Sequence, residues 1–296
     1  MQQVVSKADS LPSESKDAVV DFLSRQLNDD GGFRGRTEQS DLYYTVFGTE
    51  ALLGLKAEIP FERMRSYLRQ FNQGDRLDFV HLACLIRSIA DLADATGEHI
   101  KAEDRDALMR RLRKYESADG AFATTEGADR GSVYACFFAL GVYQDLNIDF
   151  EPHSAVVGCI DSLKMPDGGF ANDPATMLSS TPATAAAISI LHYLREPIHQ
   201  SSLDWLIARV HPQGGFTPIA FKAGSGIPDL LSTATALHSL CLAGIAIDSI
   251  REECLDFLDS LWSTEGGFQG SRMDNIVDCE YTYYGLLALG RLNSCQ

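Results

Sequence analysis

No part of the 296-residue sequence approaches the roughly 18 consecutive apolar residues of a membrane helix, and the opening MQQVVSKADSLPSESK has no apolar run of the signal-peptide kind. A soluble, cytoplasmic protein is the expectation. Basic residues are scarce: 25 Lys and Arg stand against 41 Asp and Glu, a formal net charge of −16 that argues against nucleic acid, which needs a basic surface. Seven cysteines lie scattered without CxxC or zinc-finger spacing, mostly inside helical patterns, and reduced buried thiols are expected. Only two tryptophans are available to stack on a sugar. Neither HExxH, a Walker loop, GxSxG nor a Rossmann glycine pattern occurs, which removes the commonest zinc-protease, nucleotide and serine-hydrolase readings. No stretch has a persuasive β-strand alternation.

What the chain does have is a repeat. A glycine turn recurs as DGGF, DGAF, DGGF, QGGF and EGGF, ending at Phe33, Phe122, Phe170, Phe216 and Phe268. The first interval is close to twice the others, so a sixth turn that has lost its signature is expected at NQGDRLDF, residues 72–79, and the period is about 47 residues. Each repeat reads as an amphipathic helix, the turn, a loop and a more apolar helix. The amphipathic members are residues 15–27, 61–71, 103–115, 153–163, 201–210 and 250–261, with charges at helical spacing on their wet faces. The apolar members start near Asp41, Asp78, Gly131, Ser180, Asp229 and Asp278. Six such pairs fit an open solenoid or a closed ring. A solenoid wants polar caps, and the last helix is as apolar as the internal ones, so closure is the better fit. The fold expected is all-α: a single (α/α)6 toroid over residues 1–296, behind a flexible arm at residues 1–14.

Superposing the inner helices on the threonines at 45, 184, 233 and 282 gives a column Tyr44, His81, Tyr134, Ala183, Ser232, Tyr281. Three residues before it stand Asp41, Asp78, Gly131, Ser180, Asp229 and Asp278. In parallel helices these columns ring one mouth of the barrel. Aspartate at a helix start is first a cap for free N–H groups. Asp278 has more around it, since Cys279 and Glu280 follow it and Arg272 precedes it by six residues. His81 is either a proton carrier or a satisfied core histidine. Aromatics concentrate in repeats 1, 2, 3 and 6, including Phe47, Tyr134, Phe137 and Tyr284, whereas repeats 4 and 5 offer Ala, Ser and Thr. Either a long apolar ligand lies between the two halves, or large and small side chains interdigitate in a filled core.

With these residues laid out, the chain resembles the β subunit of protein prenyltransferases and, more broadly, the prenyltransferase/squalene-cyclase repeat family. That resemblance implies a toroid whose aromatic cavity holds an isoprenoid diphosphate, a zinc ion held by Asp, Cys and His, and a helical-repeat α-type partner subunit. The family's motif runs GGFQGR, a lysine, then D-x-C-Y-S/T. Counting back from Asp278 on the zinc aspartate, Arg272 falls on the arginine and Tyr281 on the tyrosine. Asn275 stands where the diphosphate-binding lysine belongs and Glu280 where the zinc cysteine belongs; Cys279 is one position out. Tyr44 stands in the place of the zinc histidine and Ser180 in that of a phosphate-side histidine. The resulting all-oxygen set is poorly suited to zinc and would suit a hard cation such as Mg²⁺, so no metal site is assigned. The D-x-D-D acid of class II terpene cyclases and the Cys-Gly-Glu-Gln run of thioester toroids are missing, and Asp278 with Glu280 is the one carboxylate pair a sugar-processing barrel would use.

The functional expectation is a prenyltransferase-like protein holding an isoprenoid or other long apolar molecule, without the family's standard zinc site. Arg272, Tyr281, Asn275 and His81 would meet the head group. Asp278, Glu280 and Tyr44 would carry the chemistry, and Phe47, Tyr134, Phe137 and Tyr284 would line the chain. The alternative is a non-catalytic toroid that binds a lipid or a protein.

Overall fold

The computed structural model describes residues 13–176, 178–220 and 226–295. Within them, twelve α-helices alternate between an outer and an inner layer. The outer ones are α1 (Ser13–Gln26), α3 (Phe61–Arg69), α5 (Ala102–Leu112), α7 (His153–Ser162), α9 (Gln200–Ile207) and α11 (Arg251–Asp259). The inner ones are α2 (Leu42–Gly54), α4 (Phe79–Thr96), α6 (Val133–Asp145), α8 (Thr181–Tyr193), α10 (Leu230–Leu242) and α12 (Cys279–Ser294). Each inner helix packs on the next, and α12 packs on α2, so the ring is closed as the apolar last helix implied. None of the described helices is long and apolar enough to cross a membrane.

The glycine turns hold the two layers together. At each of the five signature turns the phenylalanine forms an antiparallel bridge with the end of the preceding outer helix, as Leu27 with Phe33 and Trp262 with Phe268. In four repeats the phenylalanine N–H donates to the threonine of the inner helix, for example Phe170 N to Thr184 Oγ1 at 2.9 Å and Phe216 N to Thr233 Oγ1 at 2.9 Å. The periodic threonines are therefore buried acceptors for a backbone donor that would otherwise lack one. In repeat 3 the position holds Cys136, whose thiol lies 3.8 Å from the Phe122 carbonyl. The first glycine of the turn has positive φ, +93° at Gly266, and a Cβ there would run into the Ala18 carbonyl on α1. Gly31 meets Arg63 and Gly214 meets Glu253 in the same way, so the Gly266 contact is the inter-repeat contact repeated across the closure. The unsigned turn of repeat 2 is also present: Gly74, at φ +78°, donates its N–H to Phe71 O.

Four sequence expectations change. Repeat 6 contains a β-hairpin, β1 (Gln269–Ser271) with β2 (Asp274–Val277), in strands too short for any alternation to be legible. The register of repeat 3 moves by one residue: Ser132, not Gly131, caps α6 by accepting from Ala135 N–H, so Ala135 rather than Tyr134 occupies the tyrosine column. A threonine in place of Cys136 would have fixed that alignment. Of the arm expected at residues 1–14, residues 1–12 lie outside the described residues, and Ser13 and Glu14 already belong to α1. Cys241 and Cys295 are joined at the ends of α10 and α12, where reduced thiols were expected; Cys84, Cys136, Cys159, Cys254 and Cys279 are free and buried.

Candidate functional site at the mouth of the ring

The lumen is layered by distance from the helix caps. All six inner helices start at one end, capped by Asp41, Asp78, Ser132, Ser180, Asp229 and Asp278, each accepting a backbone N–H of its own first turn. Such caps contribute about 0.5–2 kcal/mol each. Two residues inside stand Tyr43, Tyr134 and Glu280. Six residues inside come Phe47, Cys84, Phe138, Ala186, Thr235 and Tyr284, an aromatic girdle on one side and small side chains on the other. Nine residues inside stand Glu50, Arg87, Gly141, Ser189, His238 and Leu287. The central cavity between the last two layers measures about 50 Å³. Phe47 lies 5.6 Å from Tyr284 and 5.3 Å from Tyr283, centroid to centroid. Aromatic and small residues thus largely interdigitate, where a ligand pocket usually has about 300–1,000 Å³.

At the mouth the closure brings the two ends of the chain together. Arg36, in the loop after the first turn, places Nε 3.3 Å from Asp278 Oδ2 and donates from Nη2 to the Tyr281 hydroxyl at 2.9 Å. Its guanidinium also lies 5.4 Å from the Tyr281 ring centroid. Tyr43 donates its hydroxyl to Glu280 Oε1 at 2.6 Å. Burial pushes the carboxyls of Asp278 and Glu280 above the ordinary range; hydrogen bonds from Tyr281 N–H and Arg36 restrain the first, and the Tyr43 hydroxyl restrains the second. One ring position further round, His81 places Nδ1 2.8 Å from Asp78 and Nε2 3.5 Å from Asp41. The hydrogen bond to Asp41, with that to Asp78, lifts its pKa to about 9, so the imidazole is cationic at neutral pH. Burial raises the Tyr44 hydroxyl to about 12.

Of the residues singled out from sequence, Asp278, Glu280, Tyr281, Tyr44 and His81 do gather on this rim. Tyr44 and Tyr281 lie flat over Gly35 and Gly270, where a Cβ would collide with the ring. Phe47, Phe137 and Tyr284 line the cavity, while Tyr134 sits above it against Phe138 at 4.6 Å. Arg272 does not join the rim. It donates to Ser260 Oγ at 2.8 Å and stacks over Phe257 on the outer helix α11, because the hairpin carries it outward. Asn275 is exposed on β2 of the same hairpin. The guanidinium at the mouth is Arg36 instead. A signal for it was present: GGFRGR at residues 31–36 spells the glycine turn and arginine without interruption, whereas repeat 6 reads GGFQGSR with a serine inserted.

The residues at the positions of the family's zinc ligands do not fit that metal. Asp278 is committed to a cap and to Arg36, Glu280 accepts from Tyr43, and the Cys279 sulfur is buried against the Arg34 carbonyl at 3.9 Å. The described residues contain no group of three or more His, Cys, Asp or Glu that could hold a metal ion.

Comparison with known proteins agrees with this architecture. The family described as the prenyltransferase alpha-alpha toroid domain matches residues 2–217 and 184–296. The chain belongs to that family. Among solved structures, this toroid is similar to the type II terpene cyclase MstE from Scytonema in complex with geranylgeranyl dihydroxybenzoate, with a TM-score of 0.64 and 14% identity over 99% of this chain and 98% of the other. It is similar to the protein geranylgeranyltransferase-I of Candida albicans complexed with GGPP, with a TM-score of 0.62 and 15% identity over 97% and 90%. An α-1,6-mannanase of Salegentibacter shares the shape at a TM-score of 0.63 and 14% identity over 96% and 99%. At these identities the likeness is one of fold. The sequence matches no curated protein.

Proposed function

We propose that this toroid is an isoprenoid-binding, prenyltransferase-like enzyme that works without the family's zinc site. The observation that carries the reading is the convergence of Arg36, Tyr281, Tyr43, Asp278 and Glu280 at one end of an aromatic lumen, assembled from the first and last repeats. The chain of the ligand enters against Phe47, Phe137 and Tyr284. Its head group stays at the rim, where Arg36 is 46% exposed and Tyr281 and Tyr44 offer hydroxyls. Asp278 and Glu280, both held above the ordinary carboxylate range, form the acid–base pair, with Glu280 nearer the lumen and oriented by Tyr43. A helical-repeat partner subunit belongs to the same proposal.

The test is native mass spectrometry with isoprenoid diphosphates and the matching alcohols, on the wild type and on Arg36→Ala. Retention of a diphosphate over its alcohol, lost in the variant, supports the reading; equal retention of both head groups sinks it. A second reading has its own observation. The cavity of about 50 Å³ is nearly filled, which suits a silent toroid that presents its outer surface to a protein. Failure of every isoprenoid to bind, together with co-purification of one defined polypeptide, would establish that reading instead.

A further inference from the structure

Below the aromatic girdle the lumen ends in charge and not in hydrocarbon. Arg87 on α4 reaches across to two neighbours, donating from Nη2 to Glu50 Oε1 on α2 at 2.6 Å and from Nε to Asp145 Oδ2 on α6 at 2.7 Å. Its side chain is 12% exposed and Glu50 is 3% exposed. Gly141 lies alongside the guanidinium, where a Cβ would sit in ordinary van der Waals contact, 3.8 Å from Arg87 Nε. On the opposite wall, buried His238 accepts from Arg291 at Nδ1, 3.2 Å, and faces the Tyr193 hydroxyl with Nε2 at 3.3 Å. Burial and the Arg291 charge keep that imidazole neutral. Between the two groups lies the cavity, touched by both Arg87 and His238. The Tyr283 hydroxyl is fully buried against Glu50, with which it makes only a loose hydrogen bond.

A floor of this kind is a poor seat for a plain hydrocarbon tail. The guanidinium and its carboxylates already pair with one another, but a chain that returns no hydrogen bond leaves the buried Tyr283 hydroxyl without a good partner. The polar groups in a mostly apolar pocket are what fix a ligand's orientation. The floor also selects among polar termini. One cation between two carboxylates leaves the Glu50–Arg87–Asp145 group with a net negative charge, which repels an anionic terminus. A hydroxyl both donates and accepts, and so can donate to Glu50 while accepting from the Tyr283 hydroxyl or from Arg87. The cavity of about 50 Å³ that Arg87 and Tyr283 line has room for one such oxygen, and the chain behind it requires the girdle side chains Phe47, Phe137 and Tyr284 to rotate aside.

Building on the proposed isoprenoid binding, we infer that the cavity floor is a second recognition site, formed by Arg87, Glu50 and Tyr283, for a hydroxyl at the far end of the chain. The ligand is then an isoprenoid oxygenated at its terminus and not a simple prenyl chain. The rim sets the head group, and the floor reads the tail. A site built to hydrogen-bond a hydroxyl rejects the analogue that lacks it much more strongly than an apolar pocket rejects an added group.

The experiment is calorimetric titration of the full chain with matched pairs: geranyl, farnesyl and geranylgeranyl diphosphate, each with its counterpart hydroxylated on the terminal methyl. The expected result is at least tenfold tighter binding of the hydroxylated member of whichever length fits. Tyr283→Phe should reduce that preference several-fold in a protein that still unfolds cooperatively, because the hydroxyl it removes makes only a loose bond to Glu50. Equal binding of both members of a pair, or tighter binding of the plain chain, overturns the floor site while leaving isoprenoid binding intact. Binding of none of the six overturns both. A preference that survives undiminished in a folded Tyr283→Phe protein removes Tyr283 from the site.

Discussion

Replacing Arg36 with methionine tests how the mouth is held together, and the consequence follows from exposure and charge. Asp278 is 1% exposed and already above the ordinary carboxylate range, while Arg36 is 46% exposed. Removing one partner of a fully buried pair costs about 3–5 kcal/mol, because the other charge is stranded. Half of this pair faces solvent, and pairs of that kind contribute less. Asp278 also keeps the Tyr281 N–H at 2.8 Å. An intermediate loss of about 1–2 kcal/mol at pH 8 is therefore expected. The loss should shrink in acid. Without Arg36 the folded-state pKa of Asp278 rises further, while its unfolded value stays ordinary. For a group raised on folding, stability is full below the unfolded pKa and is lost as pH rises through the folded one. The variant is thus penalised most above the raised pKa and least where Asp278 is protonated. Urea unfolding of wild type, Arg36→Met, Asp278→Asn and the double variant at pH 5 and pH 8 reads this directly. Asparagine keeps the capping acceptor, so the cycle isolates the charge. A coupling energy of zero at pH 8 would refute the electrostatic account of the rim.

Three further outcomes are expected. Gly266→Ala places a methyl against the Ala18 carbonyl at a φ of +93°, so backbone strain and overpacking together should remove about 2–5 kcal/mol and lower the melting temperature by thermal denaturation; a change below 1 kcal/mol would mean that the ring does not close there. Thr233→Val leaves the buried Phe216 N–H without its acceptor, for a loss of about 1–3 kcal/mol in chemical unfolding, and Thr184→Val should match it at Phe170. The His81 imidazole should titrate near 9 by NMR and move toward 6.5 in Asp41→Asn, which keeps the cap. Its contribution to stability is full below about 6.5 and fades as pH rises through 9, so an unshifted histidine would remove it from the rim.

The mouth shows how far a sequence carries. Asp278, Glu280, Tyr281, Tyr44 and His81 were legible because the repeat period assigns each an offset from a helix start, and the offset alone fixes the end of the barrel at which it stands. Arg272 was misplaced for the complementary reason. Its distance from Asp278 was counted along the chain, but the intervening residues fold into a hairpin that points it at Ser260. Tyr134 was misaligned because Cys136 hides the threonine that marks the register in other repeats.

By itself the sequence determined the helices, their pairing in and out, and the closure of the ring, since glycine turns, threonine acceptors and capping aspartates are local chemistry repeated at a fixed period. Only the tertiary structure decided which side chains face one another across the lumen. Arg36 reaches Asp278 across a sequence separation of 242, and Arg87 draws Glu50 and Asp145 from two other helices. Such pairs depend on the rotation of each helix about its axis and on the closure of the first repeat against the last. Those are set by packing of the whole ring, which no single repeat encodes.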